Sequence, residues 1–150
     1  TILHKDFLPI FKDFINKVGI KPGDFGIEVT ETAELNNLST ASLRLSSIKN
    51  LGVSIALDDF GAGYSALRYL KDLPVDVLKL DKSFTSELQE NHNQSLFQIA
   101  KLMADSLAME FICEGLEEQW QIEKAINLGC EIGQGFYLHR PCSLEDLNNE

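Results

Sequence analysis

Five short runs in this chain, 25–31, 53–59, 75–81, 110–114 and 130–134, are largely apolar and deliver a polar side chain near their C-terminal ends. Stretches of helical periodicity separate them. Phe7, Phe11, Phe14 and Val18, widened by Ile10 and Ile15, recur at helical spacing before the first run. Leu38, Ala41, Leu45 and Ile48 do so between the first and second, with Asn36 or Ser39 placed to cap. Leu67 and Leu70 predict a helix over 65–73, stopped by Pro74. A short helical piece over 83–88, a polar break over 89–94 and a longer helix carried by Leu96, Ile99, Met103 and Leu107 come next. Ile122, Ala125 and Ile126 are expected to face inward from a helix over 119–128, and a last helix lies near 143–147. Gly19, Gly52 and Gly129 stand where helices stop.

Strands that alternate with helices form parallel sheets covered by those helices. A complete (β/α)8 barrel needs eight strands and about 250 residues, whereas this chain has 150. The expected fold is therefore α/β: the last five strands of a TIM-like barrel with three N-terminal strands missing, or else an open doubly wound sheet. Residues 1–150 read as one truncated domain, and Thr1 in place of Met reads as a cut end.

In order, the strands deliver Glu28, then Asp58 with Asp59, then Lys79, Glu114 and Gln134. Alternation puts Glu28 with Thr30, and Asp58 with the small Ser54 and Ala56, while Ile55 and Leu57 take the helix-covered face. Parallel barrels gather their chemistry at the C-terminal strand ends, so four carboxylates, a lysine and an amide are expected to converge. Like charges in a partly desolvated cleft need counter-charge. Lys79 supplies one positive charge, and hard divalent cations, Mg²⁺ or Mn²⁺ before Zn²⁺, can supply the rest. Two ions sharing a carboxylate suit an in-line phosphoryl displacement. Lys79 could position or deprotonate the attacking water, or offset developing negative charge.

Each residue also has a plainer reading. Glu28 could be a polar strand end, Lys79 a structural partner of Asp59 or Asp81, and Gln134 a backbone hydrogen-bond partner. Glu117 could stabilise a helix N-terminus. Trp120 and Tyr64 read as packing residues, and His4, His92 and His139 as surface or loop residues.

The net charge of −10 argues against a nucleic-acid duplex as partner, although bound metals would still permit an anionic ligand. Three cysteines, Cys113, Cys130 and Cys142, at no metal-ligand spacing fit free thiols in a reducing cytoplasm. No run has membrane-spanning length, so no membrane contact is expected of this segment.

The run IALDDFGAGYSAL over 55–67 closely resembles the core signature of EAL domains, bacterial phosphodiesterases that hydrolyse cyclic di-GMP. Glu28-Val29-Thr30-Glu31 resembles that family's Glu-x-Thr-Glu motif, and PVDVLKLDKSF over 74–84 its next strand. Glu114-Gly115-Leu116-Glu117 resembles Glu-Gly-Val-Glu, and Gly133-Gln134-Gly135-Phe136 leading to Arg140-Pro141 resembles the family's ending.

The resemblance implies that Glu28, Asp58, Asp59 and Glu114 are metal ligands and that Lys79 acts on the attacking water with Gln134 assisting. It also implies that Glu117 holds the 59–65 loop, which couples the site to a dimer interface, and that Asp59 and Arg140 contact substrate. The implied reaction opens cyclic di-GMP to linear pGpG. The namesake Glu-Ala-Leu motif, its nearby arginine and an asparagine ligand are absent, and the alignment would place that asparagine just before Thr1. The isolated chain is thus expected to be inactive or nearly so, and to form a homodimer or domain-swapped oligomer through uncovered edges at 27–31 and 130–134. The competing readings are a degenerate, non-catalytic EAL domain acting as a cyclic di-GMP receptor or interaction module, and an enolase-type lyase, which the adjacent Asp58-Asp59 pair fits poorly.

Overall fold

β-Branched and leucine-rich runs build five strands: β1 (Gly26–Thr30), β2 (Ser54–Phe60), β3 (Val77–Leu80), β4 (Glu110–Cys113) and β5 (Ile132–Gly133). All neighbouring pairs are parallel, and the order across the sheet is β1-β2-β3-β4-β5. A doubly wound sheet reverses direction at a switch point. This one never does, so right-handed crossovers carry every connecting helix to the same face. That is the curvature of a barrel wall, and the fold is α/β in the manner of a partial TIM-like barrel, with β1 and β5 as its outer strands. The computed structural model describes residue 2 and residues 4–30, 38–62 and 70–147. Glu31, Asn36, Tyr64, Leu67 and residues 65–69 of the helix expected over 65–73 lie outside these; its described part, 70–73, holds the turn Leu70–Asp72.

The covering elements are α1 (Phe7–Val18), α2 (Leu38–Lys49), α3 (Lys82–Ser86), α4 (Asn91–Ser106), α5 (Gln119–Asn127) and α6 (Leu144–Leu147). Ala41, Leu45 and Ile48 of α2 are buried as the periodicity requires. On α4 the inward face is Phe97, Ala100 and Ala104, while Ile99 and, just past the helix end, Leu107 are exposed. The expected stripe is therefore rotated. Small alanines let the helix approach β3 and β4, and Phe97 meets Phe111 edge-on at 5.3 Å between ring centroids. The polar break is also shorter than expected, because α4 already starts at Asn91. On α1 only Ile15 is buried, and Ile10, Phe14 and Val18 are exposed. On α5 Ile126 is exposed, and the buried pair is Gln121 and Ala125.

Ile55, Leu57, Leu78 and Leu80 are fully buried between sheet and helices, each worth about 1.5–3 kcal/mol of burial. At the opposite, N-terminal end of the strands, Asp76 accepts from the Ile55 backbone N–H at 3.1 Å and pairs with Lys49 at 2.8 Å. This ties α2, β2 and the entry to β3 together, away from the chemistry. Cys113 and Cys130 are buried free thiols, and Cys142 is exposed.

Candidate active site

The acidic tips meet because β2 carries a bulge. Leu57 pairs with Leu78 and Phe60 with Leu80, so Asp58 and Asp59 together oppose the single residue Lys79. A regular strand would send adjacent side chains to opposite faces. Asp59 instead adopts a left-handed backbone, φ 55°, a conformation that aspartate and asparagine tolerate better than most residues. As a result Asp58, Asp59 and Glu114 each offer a carboxylate oxygen within 4.8 Å of the others.

Lys79 is 5% exposed and projects into this cluster. Its Nζ lies 2.8 Å from Glu28 Oε1, 2.9 Å from Asp58 Oδ1 and 2.8 Å from Glu114 Oε1. One ammonium thus spans the ends of β1, β2 and β4. Burial by itself would depress Lys79, yet its contacts with Glu114, Glu28 and Asp58 hold it above the ordinary lysine range. For Glu114 the balance falls the other way. Burial outweighs the bond to Lys79, and the nearby Asp58 and Glu28 charges add to it, so the carboxyl is raised above its usual value. Asp58 Oδ1 is buried, and the Lys79 ammonium 2.9 Å away is its charged partner. Three carboxylates gathered this closely, all hard oxygen donors, fit a hard divalent cation.

Beyond Glu114 the chain turns sharply. Gly115 has φ 69°, and a Cβ there would collide with Lys82. The hydroxyl of Thr85, fully buried on α3, shares its proton between the carbonyls of Lys82 and Glu114. The buried Gln121 accepts from the Glu117 and Glu118 N–H groups at 2.6 and 2.8 Å and donates to the Thr85 carbonyl. Glu118 is the N-cap of α5, and Glu117 immediately precedes it. The N–H of Leu116 donates to the carbonyl of Gln134, so the β5 exit is fastened to the same turn.

A cleft of about 340 Å³ opens beside the cluster, lined by residues that include Asp59, Glu114, Glu117, Gln134 and Phe136. Arg140 places its guanidinium 4.9 Å from the centre of the Phe136 ring, at the margin of that cleft. The anticipated residues Glu28, Asp58, Asp59, Lys79 and Glu114 are thus together, Glu117 and Gln134 line the adjoining cleft, and Arg140 touches it through Phe136. Residues 63–65 of the 59–65 loop assigned to Glu117 lie outside the described residues. Lys79 pairs with Glu28, Asp58 and Glu114 rather than with Asp59 or Asp81. Sequence reasoning missed Thr85, which leaves no periodic signal. It also missed Gln121, whose spacing three residues after Glu118 is that of a capping box.

A family model described as EAL domain matches residues 1–141. The chain belongs to the EAL domain family. The Bacillus subtilis signaling protein YkoW is 39% identical over 144 residues, covering 95% of this EAL chain and 18% of YkoW. Among solved structures, a PaMucR phosphodiesterase–c-di-GMP complex aligns with a TM-score of 0.91 at 31% identity, covering 97% of this chain and 60% of that one. A Klebsiella pneumoniae BlrP1 manganese/cyclic di-GMP complex aligns at 0.86 and 28% identity, covering 93% and 36%. The EAL chain spans about a fifth of the length of the relatives it matches, between 17% and 23%. Among the described residues no helix is long and apolar enough to cross a membrane.

Proposed function

We propose that this EAL chain belongs to a divalent-metal-dependent phosphodiesterase that opens cyclic di-GMP to linear pGpG. One observation carries the reading: Asp58, Asp59 and Glu114 offer oxygens within 4.8 Å of one another, beside Lys79, at the C-terminal ends of parallel strands. The names of similar proteins, a phosphodiesterase bound to c-di-GMP and a manganese/cyclic di-GMP complex, agree with it.

Glu28, Asp58, Asp59 and Glu114 would hold Mg²⁺ or Mn²⁺. Such a cation, when bound, supplies Lewis-acid charge to the phosphate and the attacking water. Lys79 keeps its ammonium beside that water and offsets charge developing on the phosphoryl oxygens. Gln134 orients water and ligand from the β5 exit, while Asp59 and Arg140 border the substrate. Glu117 supports the loop that follows Asp59. Water oxygen joins phosphorus as the P–O3′ bond breaks, the 3′-oxygen takes up a proton, and the product retains a 5′-phosphate.

Further ligands would come from chain outside these 150 residues, so the segment alone would turn over little or nothing. Residues 1–150 would act as part of one domain of a cytoplasmic or membrane-tethered protein. The outer strands β1 and β5 would support a homodimer or a swapped oligomer. One observation favours a second reading, a non-catalytic cyclic di-GMP receptor: Lys79 already neutralises part of the cluster with no ion required. Incubating the full-length protein with cyclic di-GMP and Mn²⁺, with and without chelator, separates the two. Metal-dependent pGpG formation supports the enzyme. Tight binding without product supports the receptor.

A further inference from the structure

Lys79 contacts the same oxygens that would ligate a metal. Its Nζ is 2.9 Å from Asp58 Oδ1 and 2.8 Å from Glu114 Oε1, and both residues belong to the trio whose carboxylate oxygens lie within 4.8 Å of one another. A divalent ion on that trio and an ammonium at hydrogen-bond distance from two of its members draw on the same lone pairs. Asp58 Oδ1 makes the conflict plain, because this buried oxygen already has the Lys79 ammonium 2.9 Å away. Lys79 is itself nearly sealed from solvent, so its contacts with these carboxylates are only weakly screened by water. It also reaches Glu28 on β1, which keeps the tips of β1, β2 and β4 gathered before any ion arrives.

We infer that Lys79 is a tethered counter-cation of the metal-free site, which holds the carboxylate cage in shape and competes with the divalent ion for Asp58 and Glu114. This rests on the reading that the cluster binds a divalent cation, and it adds a role distinct from any action on water. The lysine sets a threshold for metal loading. Below that threshold the cage is closed on its own ammonium. Above it, Nζ gives up Asp58 and Glu114 and is freed to face the adjoining cleft. A resident charge within 3 Å of the binding oxygens weakens a second cation on the order of tenfold or more at the effective dielectric of a half-buried site.

The test is Mn²⁺ titration of the full-length protein, followed by electron paramagnetic resonance, for wild type and Lys79→Met. The inference expects the variant to melt earlier without metal, to bind Mn²⁺ about tenfold or more tightly, and to gain a larger metal-induced rise in Tm. Equal or weaker Mn²⁺ binding by a folded Lys79→Met would overturn the inference while leaving the metal site standing. No Mn²⁺ binding by wild type would overturn both. Should the variant not fold, the lysine ammonium resonance of wild type decides. Displacement of the Lys79 Nζ signal by Mg²⁺ supports the role, and an unchanged signal at saturating Mg²⁺ overturns it.

Discussion

Asp58 and Asp59 are consecutive in the chain yet present carboxylate oxygens within 4.8 Å, because together they oppose Lys79 across a bulge and Asp59 bends into a left-handed backbone. The pair of charges is a consequence of one extra residue on β2. Without it, alternation would turn Asp59 toward the helices, where an ionised carboxylate is costly.

Asp59 can therefore be separated into backbone and charge. Asparagine also tolerates the left-handed region, so Asp59→Asn should fold like wild type and lose Mn²⁺ affinity by about 10-fold to 100-fold or more. Asp59→Ala should lose the same affinity and, in addition, about 1–2 kcal/mol of stability. Urea unfolding beside Mn²⁺ titration distinguishes the two variants.

Gly61 closes the bulge with φ 94°, and a Cβ there would run into the ring of Phe84. Gly61→Ala should cost about 1–3 kcal/mol. Pairing it with Phe84→Leu should recover the clash but not the backbone part, a non-additivity of about 0.5 kcal/mol or more in a double-mutant cycle.

Gln121 satisfies three backbone groups of the turn that carries Glu114 to Glu117 and of α3. Gln121→Leu would leave two N–H donors without their acceptor, at about 1–3 kcal/mol each where water cannot replace it. The expected result is a lowered urea midpoint with an unchanged m-value, and weaker Mn²⁺ binding because the Glu114 carbonyl anchor at Thr85 loosens.

In chelator, the raised Glu114 holds its proton in the folded state above the unfolded value of about 4.3. The folded state then binds more protons, so this contribution to stability falls as pH rises from about 4.3 through the raised value. Lys79 has the same sign at the alkaline end: its contribution is full below about 10.4 and is lost as pH rises through its raised folded value. Glu114→Gln should flatten the acid limb and Lys79→Met the alkaline limb. Urea midpoints measured across pH check both.

Much of this architecture was legible in the residues. The period-two pattern of 53–57 and the helical repeat of 38–48 each found their element, and alternation put Asp58 on the face opposite Ile55 and Leu57. What stayed hidden depends on tertiary contact. Periodicity favoured the large Ile99 and Leu107, but close approach of α4 to the sheet selected Ala100 and Ala104. The bulge at Asp59 could not be read because nothing local distinguishes a strand end from an inserted residue. Thr85 matters only because folding brings it beneath the Glu114 carbonyl.

The central claim is that the acidic strand tips hold a divalent cation. Anomalous diffraction at the manganese edge from Mn²⁺-loaded crystals of the full-length protein tests it most directly. The account predicts a peak about 2.0–2.5 Å from carboxylate oxygens of Asp58, Asp59 and Glu114, with Lys79 Nζ drawn away from the last. A saturated protein with no peak there, or with Mn²⁺ held only elsewhere, would contradict it.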